Sequence, residues 1–277
     1  MYIWALRPIS RIGIMIIKKI RMKISIITPT LNCGKLIRKT INAVFLQESV
    51  EIEQIVIDGK STDDTLSVLN EYEKKCTYLK VISESDEGLY DAMNKGIKMA
   101  TGDIIGILNA GDFYADRNVL KDISIIFREP KVESVYGDLV YIKEDDTDNI
   151  VRFWKSGQFQ KEKFYKGWMP PHPTFFVRKS VYEKYGFFNT DLKISADYEL
   201  ILRFLLKYGV ASTYIPRVLV YMPVGGVSNA SFSNRLKANK EDKQAWKLNE
   251  LKPKFYTTIW KPLSKIKQFF LKYRDAK

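Results

Sequence analysis

The sequence predicts an α/β protein built on a doubly wound, mostly parallel sheet. Short Ile-rich runs alternate with stretches of helical periodicity from residue 23 to residue 114. Each run is closed by a cluster of Gly, Asp, Asn or Pro, the punctuation of strand ends. Runs this short and this apolar read as strands buried on both faces.

Lys23-Ile-Ser-Ile-Ile-Thr-Pro-Thr30 is the first strand, ended by Pro29. Leu36 to Leu46 places apolar residues at 36, 37, 41, 44 and 45, one stripe of a helix. Ile52 to Ile57 is the second strand, closed by Asp58-Gly59. Asp63 caps the next helix, which runs through Leu66, Leu69 and Tyr72. Tyr78 to Ile82 is the third strand, and a helix from Gly88 carries Leu89, Met93, Ile97 and Met99 before Gly102 stops it. The fourth strand, Ile104 to Leu108, ends abruptly in Asn109, Ala110, Gly111 and Asp112. Open α/β sheets bind ligands just beyond the carboxyl ends of their strands, so Asp112 is expected at the mouth of a cleft. A strand followed by a solvated turn would use the same residue types.

After Asp112 the alternation loosens. A helix near Val119 to Phe127 leads to a strand at Ser134 to Ile142 and an acidic turn at Glu144 to Asp148. Residues 150–175 are rich in aromatics, Lys and Gly, and Pro170-Pro171-His172-Pro173 forces an extended loop. Thr174 to Val177 reads as a short strand. Ser195 to Lys207 is a helix with Leu200, Ile201, Phe204 and Leu205 inward, Val218 to Met222 closes the core, and Gly225-Gly-Val-Ser228 makes a flexible loop.

Composition narrows the class. With 277 residues, 45% hydrophobic and 28% charged, the chain can build a full core in one or two domains. Two cysteines, Cys33 and Cys76, indicate a reducing compartment rather than a disulfide scaffold. A single histidine, His172, argues against zinc ligation by a His/Cys cluster, so a metal would need carboxylates. The net charge of +13 sits at the ends: +6 in residues 1–23, +9 in residues 235–277, and −2 between them. No nucleic-acid motif accompanies that charge. Basic ends interleaved with aromatics suit an anionic membrane surface. Ile259, Leu263, Ile266, Phe270 and Tyr273 recur at helical spacing among lysines, and Pro262 fits a helix start; the stripe fits either an interfacial helix or one packed on the body. No run approaches the ~20 apolar residues that span a bilayer.

Five segments, in order, carry a resemblance. Ser25-Ile-Ile-Thr-Pro-Thr-Leu-Asn32, Ile57-Asp-Gly-Lys-Ser-Thr-Asp-Asp-Thr65, Asp91-Ala-Met-Asn-Lys-Gly96, Thr101-Gly-Asp…Leu108-Asn-Ala-Gly-Asp112 and Gly186-Phe-Phe-Asn…Ala196-Asp-Tyr-Glu-Leu-Ile-Leu-Arg203 resemble family 2 glycosyltransferases. Each is common alone; their order over residues 23–225 carries the weight. The resemblance implies a GT-A fold over residues 23–230, with a nucleotide-sugar half at 23–114 and an acceptor half at 115–230. Residues 1–22 are then a basic N-terminal extension and 231–277 basic amphipathic C-terminal helices. It also implies inverting transfer from a UDP- or GDP-sugar to a hydroxyl of a lipid-linked glycan, as in bacterial capsule, O-antigen or colanic acid synthesis. A peripheral place on the cytoplasmic face of the cell membrane goes with that setting.

The chemistry asks for two separate acids. A departing diphosphate is commonly neutralised by Mg²⁺ or Mn²⁺ held on carboxylate, and the attacking hydroxyl must give its proton to a positioned base. In-line attack puts the two on opposite sides of the sugar. By the resemblance Asp112 is the metal residue, although Asn109-Ala-Gly111 stands where the family often has Asp-x-Asp. Asp197 is the base; it also suits an ordinary first-turn acid, and Glu199 is its neighbouring competitor. Thr28, Pro29, Thr30 and Asp58 would line the nucleotide pocket, with Asp86, Asp91, Asn94 and Asn109 on the donor side. Asp86 lies in a charge run that also suits a solvated loop, and Asp91 suits favourable first-turn charge. Trp168, His172 and Gly226 fall near the acceptor or the diphosphate. Two other readings share the nucleotide half. A sugar nucleotidyltransferase would want a Gly-rich, basic loop after the first strand, which Thr28-Pro-Thr-Leu-Asn-Cys-Gly34 supplies poorly. A nucleotide-sugar-binding pseudoenzyme or scaffold would fit the missing Asp-x-Asp acids.

Overall fold

The computed structural model describes residues 22–143, 146–225, 232–257, 260–261 and 267–269. Its first half alternates as expected: β1 (Lys23–Thr30), α1 (Gly34–Phe45), β2 (Glu51–Asp58), α2 (Thr65–Glu73), β3 (Leu79–Ser83), α3 (Leu89–Met99) and β4 (Ile104–Ile107). The four strands are parallel in the order β3-β2-β1-β4. Ile37, Ile41, Val68 and Leu69 of α1 and α2 cover one face, and Met93 and Ile97 of α3 cover the other. Ile24, Ile26 and Ile27 are completely buried between these layers, each worth about 1.5–3 kcal/mol relative to exposure. α3 lies so close to the sheet that a Cβ on Gly96 would stand 2.4 Å from Ile27 Cγ2. Thr30 is level with Asp58, and Asp58 with Ser83, so the carboxyl ends of the strands share one rim.

The second half comprises β5 (Phe113–Tyr114), α4 (Val119–Ile126), β6 (Ser134–Lys143), β7 (Asp146–Trp154), α5 (Lys161–Phe164), β8 (Phe176–Arg178), α6 (Lys179–Tyr185), α7 (Ala196–Leu202), β9 (Ser212–Pro223) and α8 (Phe232–Leu248). The sheet continues from β4 through β8, β6 and β9 to β5. Antiparallel pairing begins at β8, which holds the start of β6, while β7 pairs with the end of β6.

Several elements differ from expectation. Asp146 and Asp148 open β7 rather than belonging to a turn; most of that strand's first six residues are exposed, so polar residues are tolerated there. His172–Thr174 is a 3₁₀ turn, which delays β8 to Phe176. The helix from Ala196 changes to a π-helical turn at Arg203–Lys207, where the Tyr208 N–H donates to the Arg203 carbonyl at 3.0 Å. α8 packs into the body: Ala245 and Trp246 are fully buried, and Trp246 Nε1 donates to the Tyr198 hydroxyl at 2.9 Å. Gly226, Ser228 and the stripe formed by Ile259, Leu263, Ile266, Phe270 and Tyr273 lie outside the described residues.

Candidate active site

Three segments converge beyond the end of β4. The first is the turn Asn109–Asp112, closed by the Asp112 N–H donating to the Asn109 carbonyl at 3.0 Å, with Gly111 at φ +98°. Thr40 of α1 clamps it, since its hydroxyl accepts from the Gly111 N–H and donates to the Asp112 carbonyl, both at 2.9 Å. This holds Asp112 inward: the residue is 3% exposed and Oδ2 has no hydrogen-bond partner. Burial raises its carboxyl to about 7, against the weaker opposing pulls of His172 and the Asn109 amide. The expectation of an acid at an open cleft mouth is corrected here, because Phe113 pairs with β9 immediately afterwards and draws Asp112 into the sheet.

The second segment carries His172 on its 3₁₀ turn, and the third carries Asp197 in the first turn of α7. His172 Nδ1 lies 3.2 Å from Asp197 Oδ2, and Nε2 lies 3.2 Å from Asn109 Nδ2. An imidazole protonated on Nδ1 gives to Asp197 and accepts from the amide, so one ring ties the two acid-bearing segments together. Burial pushes the Asp197 carboxyl up, but the His172 bond and charge, with Lys261, bring it below the ordinary carboxylate range. Burial likewise pulls His172 down, and its bond to Asp197 outweighs this, leaving the imidazole above its ordinary value.

Sequence reasoning missed what holds Asp197. The Tyr90 hydroxyl donates to the Ile194 carbonyl at 2.7 Å and lies 3.3 Å from Asp197 Oδ1. Glu241, a buried acid of α8, accepts from the backbone N–H groups of Lys193, Ile194 and Ser195 at 3.2, 2.8 and 2.9 Å. These are the donors that lead into α7, and an acid there also complements the helix N-terminus. Glu241 lies 44 residues from Asp197 in the sequence, so no local spacing could have paired them. Glu199 is removed as a competing base: Arg203 grips both its oxygens at 3.0 Å, and Asn249 Nδ2 donates to Oε1 at 3.0 Å.

Comparison with known proteins now decides the family. Residues 25–186 match the model of glycosyl transferase family 2. The chain belongs to that family. Among curated relatives, a PGL/p-HBAD biosynthesis glycosyltransferase of Mycobacterium bovis is 27% identical over 208 residues, covering 74% of this chain and 78% of the relative. A dolichyl N-acetyl-α-D-glucosaminyl phosphate 3-β-D-2,3-diacetamido-2,3-dideoxy-β-D-glucuronosyltransferase of Methanococcus voltae is 31% identical over 209 residues, covering 67% and 62%. Among solved structures, residues 1–349 of S. aureus TarS superimpose with a TM-score of 0.63 at 19% identity, over 84% of this chain and 67% of that one. The mannosyltransferase PcManGT of Pyrobaculum calidifontis, solved with GDP-Man and Mn²⁺, gives 0.62 at 20% identity, over 91% and 71%. The GT-A fold is thus shared, and this family 2 chain is a glycosyltransferase.

The remaining expected residues of the glycosyltransferase divide into two groups. Near the rim, Asp58 is fully buried and occupied by its own loop: it accepts from the Ser61 N–H at 3.0 Å, the Ser61 hydroxyl and the Ser83 hydroxyl at 2.7 Å. Asp86 stands over Gly59, where a Cβ would be 2.5 Å from Oδ2, and Thr30 keeps a buried hydroxyl without a partner. Pro29 is buried in β1, level with Ile57 of β2. These residues share the rim beside Asp58. Others are committed to structure. The Thr28 hydroxyl accepts from Gln54 at 3.1 Å, and Asp91 pairs with Lys95 and the Glu87 N–H. Both ends of the Asn94 amide bond the Phe188 backbone at 2.9 Å, and Trp168 donates to the Ser156 carbonyl while packing on Tyr136, Phe159 and Phe164.

A divalent cation can be tested against the donor set. Asp112 Oδ2 and Asn109 Oδ1 are buried oxygens of one turn, and neither has a partner. Two oxygens near an imidazole suit Mg²⁺ or Mn²⁺. Among the described residues no group of three or more His, Cys, Asp and Glu is arranged to hold a metal, so the diphosphate and water would complete the shell.

Proposed function

We propose that this glycosyltransferase inverts the anomeric centre as it moves a sugar from a UDP- or GDP-sugar to a hydroxyl of a lipid-linked surface glycan. One observation carries the reading: His172 bridges the Asp197 carboxylate to the Asn109–Asp112 turn, so one imidazole joins the proposed base to the segment of an acid with an unpartnered oxygen. Asp197 takes the acceptor proton while the acceptor oxygen bonds the anomeric carbon. The bond from that carbon to the diphosphate breaks, and its electron pair leaves on the phosphate. Asp112 and Asn109 would hold Mg²⁺ or Mn²⁺, which neutralises the departing diphosphate when bound. His172 keeps Asp197 oriented by donating from Nδ1 while Nε2 accepts from the Asn109 amide. Thr30 and Asp86 face the nucleotide from the rim, where Asp58 holds the loop that shapes it.

The lipid-linked acceptor and the membrane are supported by a surface patch. Phe255 is 91% exposed and Trp260 48%, beside the exposed Lys252 and Lys254, a combination that suits an anionic interface. No helix among the described residues is long and apolar enough to cross a membrane. A thermal-shift screen of UDP- and GDP-sugars, with and without Mn²⁺, tests the donor reading. Stabilisation by one sugar nucleotide, enhanced by Mn²⁺, is expected; no response to any would overturn it.

A further inference from the structure

A buried cation that pairs with no carboxylate among the described residues lies on the acceptor side of the sheet. Phe113 of β5 is opposite Tyr221, and Tyr141 of β6 is opposite both Met222 and Arg152. One residue back from Phe113, Asp112 is therefore level with Met222. The row Asp112, Met222, Tyr141, Arg152 crosses four strands on one face, with its ends three strand spacings or ~14 Å apart. Electrostatics agree with this placement: burial, then the Asp112 and Asp197 charges, raise the Tyr141 phenol against the opposing pull of Arg152.

Arg152 is 8% exposed, and no carboxylate among the described residues pairs with it. Its guanidinium lies 4.7 Å from the Tyr141 ring centre, 5.0 Å from Trp154 and 5.6 Å from Phe269. Nε donates to Gln268 Oε1 at 2.6 Å, while Nη2 is buried without a partner. Aromatic rings steady the charge through the π-cloud, but they leave an N–H edge unsatisfied. A buried cation of this kind costs free energy unless an anion meets it. Guanidinium recognises oxyanions edge-on through paired N–H groups. The Gln268 amide oxygen takes one such site as a neutral stand-in.

We propose that Arg152 binds an oxyanion carried by the acceptor, a phosphate or a carboxylate, across Tyr141 from the reacting groups, with the Gln268 amide giving way to it. The proposal rests on the acceptor half lying over this face, as in the function proposed above. It adds that the acceptor carries a charged group on this face, and that Arg152 selects for that charge.

Binding without turnover tests it on the full chain. Trp154 fluorescence and calorimetry would follow octyl phosphate, octanoate, octyl glucoside and inorganic phosphate, with UDP and GDP as controls. Octyl phosphate or octanoate should bind at least tenfold more tightly than octyl glucoside. Arg152→Met should lose that preference tenfold or more, and Arg152→Lys should keep part of it, with nucleotide binding unchanged within twofold. Gln268→Ala, which leaves the guanidinium and its rings in place, should tighten the same probe several-fold. Equal binding by wild type and Arg152→Met would overturn the proposal. So would a loss of nucleotide binding in Arg152→Met, which would assign the cation to the donor, or inorganic phosphate matching octyl phosphate, which would make the site one for free phosphate. No sugar donor enters the assay, so its failure leaves the transfer reading standing, and a failed donor screen leaves this result intact.

Discussion

Replacing Asp112 with Asn should stabilise the metal-free protein, and more so as pH rises. In the unfolded chain the carboxyl ionises near 3.8, whereas in the folded state burial holds it at about 7. Below 3.8 both states are protonated and the difference is zero. Between those values the unfolded chain releases its proton and the folded chain keeps it, so stability falls with rising pH and the loss is complete above 7. A shift of that size corresponds to about 4 kcal/mol at pH 8, an upper figure because water can reach a strained site. Asn cannot ionise, so the gap between Asp112→Asn and wild type should open from near zero at pH 4 to a few kcal/mol at pH 8, in the variant's favour. Urea unfolding in EDTA from pH 4 to 8.5, followed by Trp fluorescence, measures it. Mn²⁺ should close the gap by stabilising wild type at pH 8 and leaving the variant unmoved. Parallel pH curves would refute the description of Asp112 as a buried acid with one oxygen unpartnered, and the metal assignment with it.

Asp197→Asn should keep donor binding and lose transfer by about 10²–10⁴-fold, the usual worth of a general base; retained turnover in steady-state assays would place the base elsewhere. The same variant should lower the titration midpoint of His172, which burial depresses and Asp197 raises. The chain's one histidine makes that a single-resonance NMR measurement. Glu241→Ala strands the Ile194 and Ser195 N–H groups and should cost about 2–4 kcal/mol in chemical denaturation, with the His172 midpoint also falling; Glu241→Gln should restore most of both. Phe255→Ser with Trp260→Ser should weaken binding to anionic vesicles in co-sedimentation without lowering the melting temperature. Undiminished binding would remove that patch as the membrane contact.

The first half of the fold was legible because β1, β4 and the end of β2 are buried runs rich in Ile and Val, each soon followed by Asn, Asp or Gly. β7 was not, since an edge strand whose opening residues are exposed on both faces can begin Asp-Thr-Asp and imitate a turn. β5 is two residues long, too short for any period. At the site, Asp112, His172 and Asp197 could be named because each sits in a local pattern. Their burial could not, because Thr40 and the β5–β9 pairing act from 72 and 108 residues away, as in Thr40 to Asp112 and Phe113 to Tyr221. Asn94 and Trp168 show the reverse: their residue types suit a sugar, and their hydrogen bonds are spent on backbone. Glu199 was weighed as a base from position alone, and only Arg203 and Asn249 disclose that it is a bracket.

The carboxylate of Glu241 makes α8 a structural partner of the proposed base rather than an appendage. A chimera that kept this chain through α7 and joined a foreign tail before Glu241 would inherit Asp197 but not the brace beneath it. Anyone exchanging acceptor preferences among such enzymes would need to move Lys193 through Leu251 as one block, and a truncation meant only to improve solubility would loosen the base from 44 residues downstream.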